Sequence, residues 1–233
     1  MPPRPQLRLT LLSKDGQRTV DAPINRLIVA GWSSRNAAAM EAHIAELEKV
    51  GVARPAKMPT FYRISATRLT TSSWIQVSGT ESSGEVEFLL AKIEDEIWVG
   101  VASDHTDRAV ESYNVTVSKQ LCEKPMAPTL WPFHEVRSHW DSLRLQSFRI
   151  ENSERHPYQD GSVADLLSAE ELMARFTAED GGEMKSGDAI MGGTLPTLDS
   201  VKPATRFAFA LIDPVLNRRI EHAYDIESLN VEP

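Results

Sequence analysis

The sequence predicts an α+β fold in which β-structure dominates. Many short stretches alternate apolar and polar residues, turn residues separate them, and only three segments keep helical spacing. At 233 residues the chain fits one large domain or two small ones, and 41% hydrophobic residues can fill a core. Lys and Arg number 25 against 33 Asp and Glu, a formal charge of −8 with no basic run, which argues against a nucleic-acid partner. Cys122 is the sole cysteine, so no internal disulfide can form, as suits a reducing compartment. No apolar stretch approaches a membrane span, and residues 1–6 lack the apolar core of a signal peptide. The expectation is an acidic, cytoplasmic protein without a membrane partner.

In chain order, Leu7, Leu9 and Leu11 alternate with Arg8, Thr10 and Leu12 and enter a Lys14–Gly16 turn, a hairpin into Arg18–Val20. Leu27–Ala30 is a strand. Ser33 or Ser34 can cap a helix that Gly51 can end, with Met40, Ile44 and Leu47 on one apolar stripe. Phe61–Ser65 and Trp74–Val77 read as strands, and Tyr113–Val117 resumes strand character after the acidic hairpin. A Pro-bearing loop runs from Lys124 to Pro132, and Phe133–Trp140 is a short helix whose His134 and His139 read as structural. Leu143–Ile150 alternates as a strand. Tyr158–Ser162 reads as a turn, and Ser168 with Glu171 forms a capping box for a helix through Phe176. Gly187–Pro196 reads as turn, strand and Gly-rich bend, where Gly192 and Gly193 allow either close ligand approach or a bulge. Phe207–Leu211 and Arg219–Asp225 close the chain as strands.

Residues 84–108 form the acidic hairpin. If Glu94 and Asp95 make a two-residue turn, Ile93 pairs with Glu96 and Glu85 falls opposite Asp104. Glu87 shares the face of Glu85, while Val86, Phe88 and Leu90 take the other. Like charges set side by side repel unless something draws them together, and a hard divalent cation with oxygen ligands does so. A solvated acidic face is the alternative, and one extra loop residue would turn Asp104 to the other side. On the first helix His43 and Glu46 are three residues apart and can meet. The carboxylate would orient the imidazole as a general base, or His43 is a packed core residue with one satisfied nitrogen.

The order of these pieces resembles the fumarylacetoacetate hydrolase superfamily, most closely a DUF2848-like bacterial branch. The resemblance runs from about Gly31 to Asp225. It rests on His43 with Glu46, Glu85 with Glu87, Asp104 followed by Arg108, Ser118–Lys119, and Gly187–Asp188 through Gly193, Thr194, Leu195 and Pro196. Where the family often carries Gln seven residues after its metal Asp, this chain has Glu111. The resemblance implies a mixed β-roll or sandwich with a few short helices, residues 1–30 packing as a strand segment on a catalytic domain of 31–233. It implies Mg2+ or Mn2+ on Glu85, Glu87 and Asp104, catalysis by His43, Glu46 and Lys119, and substrate contacts from Arg108, Gly193 and Thr194. The partners it implies are a small keto acid and a second copy in a homodimer. The implied reaction is hydrolysis of a C–C bond in an acylpyruvate-like or β-diketo acid. Decarboxylation, hydration and isomerisation of a keto acid, or metal binding without catalysis, are the alternatives.

Overall fold

The computed structural model describes residues 6–38, 40–41, 44–45, 54–180 and 182–231. Its frame is an eight-stranded mixed sheet with the spatial order Gly16–Pro23, Gln6–Ser13, Thr129–Pro132, Glu96–Ser103, Val86–Ile93, Asp188–Thr194, Arg26–Gly31 and Thr60–Ile64. A second sheet of five strands runs Glu154–Ser162, Arg144–Glu151, Arg206–Asp213, Arg218–Leu229 and Trp74–Ser78. The fold is thus β-dominated with a few short helices.

Alternation decides where each side chain goes. On the central hairpin Val86, Phe88, Leu90, Val99 and Val101 face the five-stranded sheet and pack in one core with Leu145, Phe207, Phe209 and Tyr224. Leu89, Ala91, Ile93, Trp98 and Ala102 face the other way, into a second core. That second core takes Leu9 and Leu11 from one end of the large sheet and Val29 and Ile64 from the other. The large sheet therefore curls so that both ends share one interior, and its outer face forms a sandwich with the small sheet.

The central hairpin has the tight register. Ile93 pairs with Glu96 and Val86 with Ser103, and Glu94 takes φ +56° in the turn. The N-terminal hairpin pairs in full from Gln6–Pro23 to Ser13–Gly16 and continues the same large sheet through Thr10 and Leu11.

Three expectations change. Val115–Leu121 is a helix, not a strand, because the Asn114 side chain accepts the Val117 N–H at 3.0 Å and caps it. Residues 158–162 are the end of the Glu154–Ser162 strand, and the turn lies earlier, at Asn152 and Ser153, both at positive φ. Within the Pro-bearing stretch, Thr129–Pro132 is a strand paired with Trp98 and Val99. The capping box holds, since Ser168 Oγ accepts the Glu171 N–H at 3.2 Å, and the helix runs to Asp180. Ile44 is buried, as its place on the apolar stripe requires. His43, Glu46, Leu47 and Gly51 lie outside the described residues.

Candidate metal centre

The acidic residues stand at the end of the curled sheet's interior face. Glu85 and Glu87 have the parity of Leu89 and Ala91, and Asp104 that of Trp98 and Ala102. Beyond the last ladder pair, the Asp104 N–H donates to Glu85 O at 2.9 Å, so the register argued from the two-residue turn persists to the site. One carboxylate oxygen from each of Glu85, Glu87 and Asp104 lies within 4.8 Å of the others. Glu87 and Asp104 are buried and Glu85 is partly exposed.

Each carboxylate is held differently. Glu87 Oε2 accepts the Gly193 N–H at 2.8 Å. Burial pushes Glu87 well above the usual carboxylate range, and the charge of Asp104 adds to the shift. Asp104 is contacted by two ammonium groups, Lys119 on Oδ2 and Lys124 at 3.2 Å from Oδ1. Burial alone would raise the Asp104 pKa, but these two cations outweigh it and hold it below the ordinary value. Lys119 is raised despite its burial, chiefly by Asp104, while burial keeps the pKa of Lys124 lowered. Glu85 lies 3.2 Å from Arg108, which also donates to Glu111 at 2.7 Å and to Ser83 Oγ at 2.7 Å.

The Gly-rich bend is a bulge. Pairing with the central hairpin shifts between Met191 and Thr194, which brings Thr194 opposite Glu87. Gly193 has φ +95°, and a Cβ there would meet Ser33 Oγ at 1.8 Å. Only glycine aims that N–H at Glu87 without displacing Ser33. The Thr194 hydroxyl donates to Val86 O at 2.9 Å and accepts from Gln159 Nε2 at 2.7 Å.

The structure thus gathers Glu85, Glu87, Asp104, Arg108, Lys119, Gly193 and Thr194 in one place. Two buried residues beside them were not singled out from sequence. Lys124 donates to His105 O as well as pairing with Asp104. His105 is enclosed between Tyr224 Oη at 2.8 Å from Nδ1 and Ser82 Oγ at 2.9 Å from Nε2. Burial, with Lys124 and Arg108 nearby, lowers its pKa to about 3, so the ring is neutral. The apolar neighbours Cys122, Met126 and Ala127 were the available sign that Lys124 is buried.

Three carboxylates without thiolate or imidazole are a hard oxygen donor set. They fit a hard divalent cation, which would also offset both the burial that chiefly raises Glu87 and the repulsion from Asp104 and Glu85 that adds to it. Among the described residues this is the sole cluster of at least three His, Cys, Asp or Glu side chains with that closeness.

Solved structures share the fold. A yeast fumarylacetoacetate hydrolase family protein is 18% identical, with a TM-score of 0.64 over 88% of this chain and 94% of its own. Fumarylpyruvate hydrolase from Pseudomonas aeruginosa, solved with Mn2+ and pyruvate, is 16% identical, with a TM-score of 0.63 over 99% of this chain and 100% of its own. A 2-keto-3-deoxy-D-arabinonate dehydratase complexed with magnesium and 2,5-dioxopentanoate is 13% identical, with a TM-score of 0.62 over 94% and 79%. No curated protein matches the sequence. The family model described as "Protein of unknown function (DUF2848)" matches residues 30–224. With that match over most of its length, the chain belongs to the DUF2848 family, built on the fold of the fumarylacetoacetate hydrolases.

Proposed function

We propose that this protein is a metal-dependent enzyme that hydrolyses a C–C bond in a small acylpyruvate-like or β-diketo acid. The observation that carries the reading is the convergence of Glu85, Glu87 and Asp104 beside Lys119, Lys124 and Arg108. The three carboxylates would hold Mg2+ or Mn2+, the ions in the Pseudomonas hydrolase and the dehydratase. When bound, such an ion polarises a keto oxygen and stabilises enolate charge.

The chain's own groups do the rest. Gly193 fixes Glu87 by its N–H, and Lys119 with Lys124 keeps Asp104 anionic, so both carboxylates are set before a ligand arrives. Of the two ammonium groups on Asp104, Lys119 is the less buried and would donate to oxyanion charge on the substrate. Gly193 and Thr194 border Glu87, and Thr194 can donate to a substrate carboxylate by giving up its bond to Val86 O. His43, oriented by Glu46, would take a proton from the water that attacks the second carbonyl. The new C–O bond forms as the C–C bond breaks, and the enolate left behind takes a proton.

The test is turnover of acylpyruvates with and without a chelator, repeated with His43→Gln. We expect metal-dependent cleavage, and a loss in the variant of about a hundredfold or more, the range of a general base. Metal affinity should persist, because the ligands stand on other elements. Full activity per metal-loaded site in the variant would remove His43 and Glu46 from the mechanism. The dehydratase shares the fold, so water loss or carbon dioxide release without hydrolysis products would move the reading to a lyase. No metal-dependent product from any keto acid would mark a binding protein.

A further inference from the structure

Gln159 is a buried amide in a place that strand alternation alone would not give it. Tyr158 and Gln159 are consecutive strand residues, yet both are buried. The ladder explains this. Ser147 pairs with Gln159 and Phe148 with Pro157, so Tyr158 is the extra residue of a bulge. The Gln159 side chain thereby reaches from the small sheet to the large one, where it meets two segments of the metal centre.

Its four hydrogen bonds leave no choice of orientation. Oε1 accepts the Val86 N–H at 2.9 Å and the Ser147 hydroxyl at 2.9 Å. Nε2 donates to Leu195 O at 2.6 Å and to Thr194 Oγ1 at 2.7 Å. A backbone N–H can only donate and a carbonyl can only accept, so the amide cannot be flipped. Both amide hydrogens are used, one of them on Thr194.

The consequence falls on Thr194. A threonine hydroxyl has one proton. With Gln159 donating into its oxygen, that proton points elsewhere, and here it reaches Val86 O at 2.9 Å. Thr194 stands opposite Glu87 and is partly exposed. A ligand at the carboxylate cluster therefore meets Thr194 as a donor whose proton is already turned away from Gln159. Linked hydrogen bonds polarise one another, so the amide also strengthens that donor.

We propose that Gln159 is a positioning residue for the ligand, one that fixes Thr194 as a hydrogen-bond donor to a carboxylate held beside the metal. The proposal rests on the reading of the site as a metal-dependent keto-acid centre, and not on which reaction follows.

The experiment is calorimetric titration of the Mg2+-loaded protein with pyruvate, in wild type, Gln159→Met, Thr194→Val and the double variant. We expect each single variant to bind pyruvate about tenfold more weakly or worse, the scale of one hydrogen bond to a charged group. The double variant should bind no more weakly than Thr194→Val, because Gln159 acts through that hydroxyl. Mg2+ affinity, titrated first, should hold, because neither side chain is a ligand. Losses that multiply in the double variant, unchanged pyruvate affinity in Gln159→Met, or an equal loss of Mg2+ affinity would each overturn the proposal and leave the keto-acid reading standing. No pyruvate binding to wild type would overturn both. If Gln159→Met does not fold, NMR of 15N-labelled glutamine amides decides. Gln159 is the one buried glutamine among the described residues, so its amide exchanges slowest. Pyruvate should shift that signal in wild type and not in Thr194→Val. A signal that stays in place in wild type, or the same shift in Thr194→Val, would overturn the proposal.

Discussion

Asp104 with two buried lysines shows how far residue-level reading reaches. Its parity and its pairing with Glu85 follow from counting along a two-residue hairpin, and Lys119 fell in the right stretch. Lys124 did not, because it precedes Pro125 in a stretch whose prolines read as loop. Only the fold reveals that this stretch runs parallel to Leu69–Thr70 and turns the ammonium inward. Lys124 is wholly buried, with its partners Asp104 and the His105 carbonyl. Lys124→Met would leave both short of a donor, so we expect a loss of about 3–5 kcal/mol, the cost of breaking a buried pair. Urea unfolding measures it. A loss below about 1 kcal/mol, as for an exposed pair, would show that water reaches Asp104 in place of Lys124.

At the scale of elements, alternation located most strands, and besides the Pro-bearing stretch that holds the Thr129–Pro132 strand, local chemistry misled at two places. Val115, Thr116 and Val117 are β-branched and read as strand, yet the single Asn114 cap and the packing of Ser118 and Lys119 make a helix of them. Asp160, Gly161 and Ser162 have turn composition, yet Tyr158 and Gln159 are buried, and the ladder to Arg144–Ser147 holds the segment extended. In both cases tertiary contacts overrode a weak local preference, which no window of sequence contains. The cap can be tested. Asn114→Ala should cost about 1 kcal/mol of stability, and Asn114→Asp should restore nearly all of it. Thermal unfolding of both variants checks this. Equal losses would mean that the cap is not what holds the helix.

For the whole molecule, the question is what locks a curled sheet to a second sheet. Packing of Phe88, Phe207 and Phe209 supplies area, and one buried polar network supplies register. Arg218, on the small sheet, stacks at 4.4 Å on Trp131 of the large one and donates to Glu135 at 2.6 Å. Glu135 also accepts the Lys14 N–H at 2.8 Å, which brings in the first hairpin. Asp213 anchors the other end, with Arg218 at 3.1 Å, His139 at 3.0 Å and the N–H groups of Val215 and Leu216. None of this was legible from spacing, because Glu135 with His139 and Asp213 with Arg218 come from two distant stretches and Lys14 from a third. The network sets a pH dependence. Burial pushes Asp213 up, but the Leu216 N–H, His139 and Arg218 outweigh it and hold its pKa below the ordinary value. The unfolded chain therefore takes up this proton first as pH falls from about 5 through the ordinary aspartate range near 3.9. Stability from Asp213 is complete above that window and is lost as pH drops through the depressed folded value. Asp213→Asn should lower stability at pH 7 and flatten its fall toward pH 3. Urea midpoints across that range read both effects. Parallel wild-type and variant curves would show that Asp213 titrates alike in the folded and unfolded chains, and the network would then owe its hold on the two sheets to packing against Trp131.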